Sequence, residues 1–287
     1  MRLTLKRGDL FLEIDPAAGG AVSALRLGDL NILRPAPPRS GPAYDPLEYA
    51  AFPMVPFVGR IHNGLCQVNG SAIQLHPNLQ PEPHAIHGYG WQSPWKVAAQ
   101  GPNTVALTHE HAADAWPWDY TATQTFRLKD TALVVELSLT NLGPNAMPAG
   151  LGWHPYFYRK GAILTAPTIQ EWCPDEQSGD NLPRPPIPDA DLSVGRAVEE
   201  LKLDTAFSVG APNIEMTWPT HRILLRADPI FSHATVFVPH GKDFFCAEPI
   251  THAPNAVNST LPADVTGLRW LVPSETLSGT ISLEIER

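Results

Sequence analysis

Proline and glycine punctuate this chain throughout, with 31 prolines and 21 glycines spread over 287 residues. Such spacing suits many short strands and tight turns better than long helices. Between the breaks, apolar residues alternate with polar ones. Leu3, Leu5, Leu10, Leu12 and Ile14 flank a Lys6-Arg7-Gly8-Asp9 turn, and Ala21 to Leu27 continue the pattern. Leu65 to Leu75 reads as a hairpin around Asn69-Gly70. Further strands are expected at Trp95 to Val97, Thr104 to His111, Tyr120 to Leu128, Ala132 to Thr140, Thr220 to Ala227 and Ala234 to Pro239. A closing strand pair is expected within Gly267 to Glu286. Residues 35–46 and 174–197 read as proline-rich loops, and 76–95 as a long irregular segment of the kind that carries or covers function. No repeat, heptad or change of composition marks a boundary, so one all-β domain spanning 1–287 is expected.

Charge and cysteine usage narrow the partners. A formal net charge of −9 disfavours nucleic acid or an anionic membrane surface, and a neutral polar ligand fits better. Cys66, Cys173 and Cys246 are odd in number, far apart and outside any CxxC pair, so neither a disulfide framework nor a structural zinc site is indicated. The N-terminus alternates and carries charge, unlike a signal peptide, and no apolar run reaches the ~20 residues of a membrane span. A cytoplasmic location is expected.

Two titratable residues share one local pattern. His154 lies in Gly152-Trp153-His154-Pro155-Tyr156-Phe157, and Glu248 lies in Phe244-Phe245-Cys246-Ala247-Glu248-Pro249. Each is preceded by apolar residues and followed by proline, which biases its backbone toward an extended conformation. Taken alone, His154 is as well read as a packed core histidine. A carboxylate at the end of an apolar strand must be paired, hydrogen-bonded or neutral. Together, an imidazole and a carboxylate in one cleft make an acid/base pair.

Other residues stay open between two readings. Arg60 suits a surface stack or a fork of donors for a ligand oxygen. Asp204, in Leu203-Asp204-Thr205-Ala206-Phe207, suits a buried acceptor or a turn cap. His84 and His87 are spaced HxxH, but prolines and glycines oppose the helix that this metal spacing needs. His109 and His111 share one strand face, read as solvated. Trp116-Pro117-Trp118 is structural or a sugar-stacking platform. The absence of GxSxG, P-loop and GxGxxG patterns disfavours serine hydrolase, kinase and dinucleotide chemistry. Proton transfer in an isomerase, lyase or glycosidase fits the pair.

In order along the chain, Gly59-Arg60-Ile61 with Gly64, Ala85-Ile86-His87-Gly88 with Trp95, Gly152-Trp153-His154-Pro155-Tyr156-Phe157, Leu203-Asp204-Thr205-Ala206-Phe207, and Glu248-Pro249-Ile250-Thr251 continuing to Pro254-Asn255-Ala256 resemble the aldose 1-epimerase (mutarotase) family. The resemblance implies a large antiparallel β-sandwich of the galactose mutarotase-like supersandwich type. It implies Glu248 as general base and His154 as general acid, with Arg60, His87 and Asp204 binding sugar hydroxyls. It implies no metal and no cofactor, a free aldose as substrate, and a monomer or weak homodimer. The reaction requires Glu248 ionised and His154 protonated together, and close opposite charges favour that state. Gly59 stands where family members often carry asparagine. Trp91 stands where the related hexose-6-phosphate epimerases carry an arginine; it disfavours a phosphate and offers a face for a pyranose. A carbohydrate-binding module, or another sugar isomerase or lyase using Tyr89 or Tyr156, are the competing classes.

Overall fold

The computed structural model describes residues 2–38, 44–174 and 180–287. The loops expected over 35–46 and 174–197 therefore lie partly outside the described residues. Two large antiparallel sheets dominate. The first has eleven strands among the described residues. Its central path runs Ala51–Met54, Gly152–Tyr158, Phe244–Ile250, His233–Phe237, Asp204–Ser208 and Gln170–Pro174. The second has nine strands, centred on Tyr120–Leu128, Ala132–Asn141, Thr276–Glu286 and His221–Ala227. Most of the alternating segments form strands within a residue or two of their expected ends, including Ala21–Leu27, Thr104–His111 and Tyr120–Leu128.

Alternation of side chains builds the sandwich. In the second sheet Val105, Leu107, Phe126, Val135, Leu137, Leu139, Ile281 and Leu283 point one way, into the main core. The middle strands of the first sheet are buried on both faces. Trp153, Phe157, Phe245 and Ala247 join that core. Their neighbours Tyr156, Cys246 and Ile250 join a second buried cluster with Phe52, Met54, Trp91 and Trp172. Burial on both faces explains why Phe244 to Ile250 reads as one apolar run rather than an alternation.

Three expectations are corrected and one open reading is decided. Within 174–197, Asn181–Arg184 and Arg196–Ala197 are strands that extend the sheet edges. The last two strands do not pair with each other: Arg269–Leu271 pairs with Met147–Ala149, while Thr276–Glu286 lies between Ala132–Asn141 and His221–Ala227. His109 is buried and His111 nearly so, stacked among Trp95, Tyr89 and Tyr120, so that strand face is not solvated. Trp116 and Trp118 are core residues, which settles their platform reading in favour of structure. Among the described residues, no helix is long and apolar enough to cross a membrane.

A buried histidine near the cleft ties the fold to pH. His252 Nε2 accepts from the Val58 N–H at 3.3 Å, and Nδ1 meets the Ala253 carbonyl at 2.8 Å. That arrangement needs the neutral ring, because a second N–H would point at the Val58 donor. Burial lowers His252 and His233 to about 4 each. A lowered folded-state value means that the unfolded chain takes the proton first. Stability is full above the ordinary value near 6.5 and is lost as pH falls toward 4, by about 3 kcal/mol for each ring taken alone. Denaturant melts should show a steep decline over that window, and H252Q should flatten it. A decline as steep as that of the wild type in both H252Q and H233Q would exclude these rings as its source.

Candidate active site

Register brings His154 and Glu248 together. Gly152 faces Ile250 and Tyr156 faces Cys246 across the two central strands, so His154 and Glu248 stand opposite each other. Their side chains share the cleft face, and His154 Nε2 lies 3.3 Å from Glu248 Oε1. The same row continues in both directions. Phe52 pairs with His154, Thr235 with Glu248, Ala206 with Thr235, and Trp172 with Ala206. His154, Glu248, Thr235, Ala206 and Trp172 line a cleft of 680 Å³, within the size range of small-molecule sites.

Stacking fixes the imidazole plane. Tyr156 stacks on the ring at 4.8 Å and 24°, and Phe52 packs against it from an adjoining side at 4.5 Å and 30°, with Phe52 and Tyr156 6.1 Å apart. Phe52 in turn stacks on Trp91 at 5.2 Å. At the opposite end, the Arg34 guanidinium lies over Tyr156 and Phe244 and donates to the carbonyls of Leu47 and Tyr49. Trp91 is therefore tied to His154 through Phe52 and meets His87 edge to face at 5.8 Å. It is fully buried and does not line the cleft, so its expected role as a sugar platform is corrected. Its Nε1 donates to the carbonyls of Ile86 and Gly88, on either side of His87, so one indole braces both histidines. Because Trp91 does not reach the cleft, its identity says nothing about a phosphate on the ligand.

His87 enters from the irregular segment. Arg60–Ile61 pairs with Ala85–Ile86, which places Arg60 beside His87, and the His87 N–H donates to the Gly59 carbonyl at 2.9 Å. His87 has φ +58° and its ring meets His154 edge to face at 5.3 Å. Arg60 is not a surface stack, and its fork is engaged by a protein carboxylate: Nε and one terminal nitrogen donate to Glu82 at 2.7 and 3.0 Å. A terminal nitrogen also lies 3.6 Å from Asp204. Asp204 is half exposed at the start of its strand and lines the cleft, so neither the buried acceptor nor the turn cap describes it. The HxxH pair separates. His84 Nδ1 accepts from the Asn63 N–H while His87 turns into the cleft, and the pair is part of no three-ligand cluster among the described residues. Tyr156 lines the cleft; Tyr89 packs against His111 and does not.

Electrostatics departs from the expected ion pair. Burial is the largest effect on both groups. It pushes Glu248 well above the usual carboxyl range, helped by the Asp204 charge and opposed by Arg60. It lowers His154 to about 3, with Arg34 adding to the shift. Desolvation thus favours the neutral carboxyl and the neutral imidazole over a buried ion pair. The pair still carries one transferable proton. His87 is likewise held neutral by burial.

Several lining residues escaped the sequence reading: Arg34, Glu82, Trp172, Asn181 and Lys242. Glu82 was legible only as one polar residue among prolines. Arg34 and Asn181 lie at the margins of loops that carry no motif.

A histidine and a glutamate in contact thus lie on the floor of a ligand-sized cleft, on one face of a large antiparallel β-sandwich. The chain belongs to the aldose 1-epimerase family, whose model matches residues 1–284. It is 28% identical to the uncharacterized protein YphB of Escherichia coli K12, over 99% of this chain and 98% of that one. A crystal structure of a putative aldose 1-epimerase from Escherichia coli K12 superimposes with TM-score 0.89 at 26% identity, covering 100% and 99% of the two chains. A galactose mutarotase-like protein from Clostridium acetobutylicum has the same fold, with TM-score 0.87 at 20% identity over 99% and 94%.

Proposed function

We propose that the protein is an aldose 1-epimerase that interconverts the α and β anomers of a free aldose. The observation that carries this reading is the 3.3 Å approach of His154 Nε2 to Glu248 Oε1 on the cleft floor. The anomeric hydroxyl oxygen and the ring oxygen of a pyranose are attached to the same carbon, so two groups this close can serve both at once. Glu248, ionised in the reacting complex, takes the proton of the anomeric hydroxyl. His154 gives one to the ring oxygen, and the C1–O5 bond opens to the aldehyde. Rotation about C1–C2 presents the other carbonyl face, and reclosure returns both protons. The reacting pair differs from the neutral one only by moving a proton from carboxyl to imidazole. Arg60, which favours the ionised carboxylate, and the sugar's own hydrogen bonds support that shift. His87, Asp204 and the Arg60–Glu82 fork are assigned to the sugar hydroxyls.

Charge in the cleft favours a neutral sugar. Asp45, Glu48, Glu82, Asp204 and Glu248 line it against Arg34, Arg60 and Lys242, an excess of carboxyl groups that opposes a phosphate. Polarimetry tests the activity. Freshly dissolved α-glucose or α-galactose should reach its equilibrium rotation faster with the protein than in buffer. No acceleration with any common aldose ends this reading.

The one-proton pair also sets the pH profile. Activity should be bell-shaped, failing at alkaline pH when the shared proton is lost and at acid pH when a second is added. With His154 lowered to about 3, the acid limb should fall below about pH 5, measured quickly enough to precede acid unfolding. An acid limb centred near the ordinary histidine value would place an independent imidazolium, not a shared proton, in the reaction.

A further inference from the structure

Cys246 lies one pleat from the proposed pair and has no part in the chemistry above. It precedes Glu248 by two residues on the same strand, so both side chains point to the cleft face, and it faces Tyr156 across the ladder. It is fully buried beneath the floor and free of any disulfide. The donor atoms of His154, Cys246 and Glu248 all lie within 4.8 Å of one another.

We propose that His154 Nε2, Cys246 Sγ and the Glu248 carboxylate form a binding site for a zinc-like divalent cation, and that the bound ion blocks the epimerase reaction. Imidazole, thiolate and carboxylate are the three donor types that zinc takes, and three protein donors with one open position are a common zinc arrangement. Around a tetrahedral zinc, a nitrogen and an oxygen donor are separated by roughly 3.4 Å. His154 Nε2 and Glu248 Oε1 are 3.3 Å apart already, so the ion needs only the Cys246 sulfur to approach. Charge also balances. Thiolate and carboxylate offset the dication, and the desolvated pocket stays neutral after two protons leave. The fourth position opens to the cleft, because His154 and Glu248 line it. A bound ion occupies the lone pair of His154 and the carboxylate of Glu248, leaving no acid and no base. The inhibitory half of the proposal rests on the acid/base reading of this pair; the binding half does not.

The test uses the full chain after treatment with a chelator. Zinc titrated calorimetrically should bind with one equivalent, and Co2+ should give a thiolate-to-metal charge-transfer band in the near ultraviolet. In polarimetry the metal-free protein should be active and added zinc should abolish that activity, with sugar competing. C246A should keep the metal-free rate, lose the cobalt band and bind zinc on the order of 100-fold more weakly; C66A and C173A should behave as wild type. C246S provides the same comparison if C246A folds poorly. Zinc binding or inhibition unchanged in the Cys246 variants, or a cobalt complex lacking the thiolate band, overturns the proposal. An inactive metal-free protein that still binds zinc through Cys246 overturns the epimerase reading and leaves the site.

Discussion

E248Q should lose mutarotation by about 10²- to 10⁴-fold while becoming more stable than wild type at pH 8. The amide keeps the shape of the carboxyl but neither accepts nor releases a proton. The stability change follows from burial. The folded-state value of Glu248 is raised, so its favourable contribution is full below the ordinary carboxyl value and is lost as pH rises through the shifted one. Each unit of that shift is worth about 1.4 kcal/mol, and glutamine is free of it at every pH. The difference between E248Q and wild type should therefore grow from pH 4.5 to pH 8, with the histidine effects cancelling between the two proteins. H154N should lose activity to a similar degree, and the double variant should fall little further than the worse single one, since the two groups act as a unit. An E248Q protein that keeps its rate, or is less stable at pH 8, contradicts the assignment.

G88A should be strongly destabilising, although Gly88 itself stands just behind the cleft, next to His87. Gly88 has φ +69°, and a Cβ there would lie 2.0 Å from the Val55 carbonyl oxygen and 2.6 Å from Pro56 Cδ. That carbonyl accepts from the N–H groups of Tyr89 and Gly90 at 2.8 and 3.1 Å, so backbone must separate and both bonds weaken. The loss should be about 4 kcal/mol, or roughly 10 °C in Tm for a chain of this size. Surviving protein should have a raised KM, because His87 is the adjacent residue. G70A provides the control. Gly70 also has positive φ, but nothing lies within 4 Å of a Cβ there. Only the conformational cost of about 1 kcal/mol applies. Equal losses in the two variants would show that the close approach to Val55 is not the cause.

Local pattern carried much of the fold into the sequence. Period-two alternation marked strands such as Tyr120–Leu128 almost to the residue, because one face of the second sheet is core and the other is not. It failed where both faces are buried or where a strand is two or three residues long, as at Arg196–Ala197 and Ile163–Thr165. His154 and Glu248 were legible as a pair because each stands before a proline in an apolar run. Their separation was not, since register between distant strands is a property of the whole sheet. Trp91 shows the converse failure. A tryptophan in an irregular segment looks the same whether it faces a ligand or, as here, ends a buried stack under Phe52. Glu82 needed the Arg60 fork in place before its role had any meaning.

The row Phe52, His154, Glu248, Thr235, Ala206 and Trp172 takes one residue from each of six strands, while the flanking positions on each strand turn to the opposite face. Ligand preference and folding are thereby written in alternate letters of the same strands. A combinatorial library confined to Thr235, Ala206 and Trp172 can recontour one half of the floor while His154 and Glu248 stay fixed and Phe207, Ala234 and Val236 keep the main core filled. The shape of the cleft can therefore change at every second position without rebuilding the sandwich.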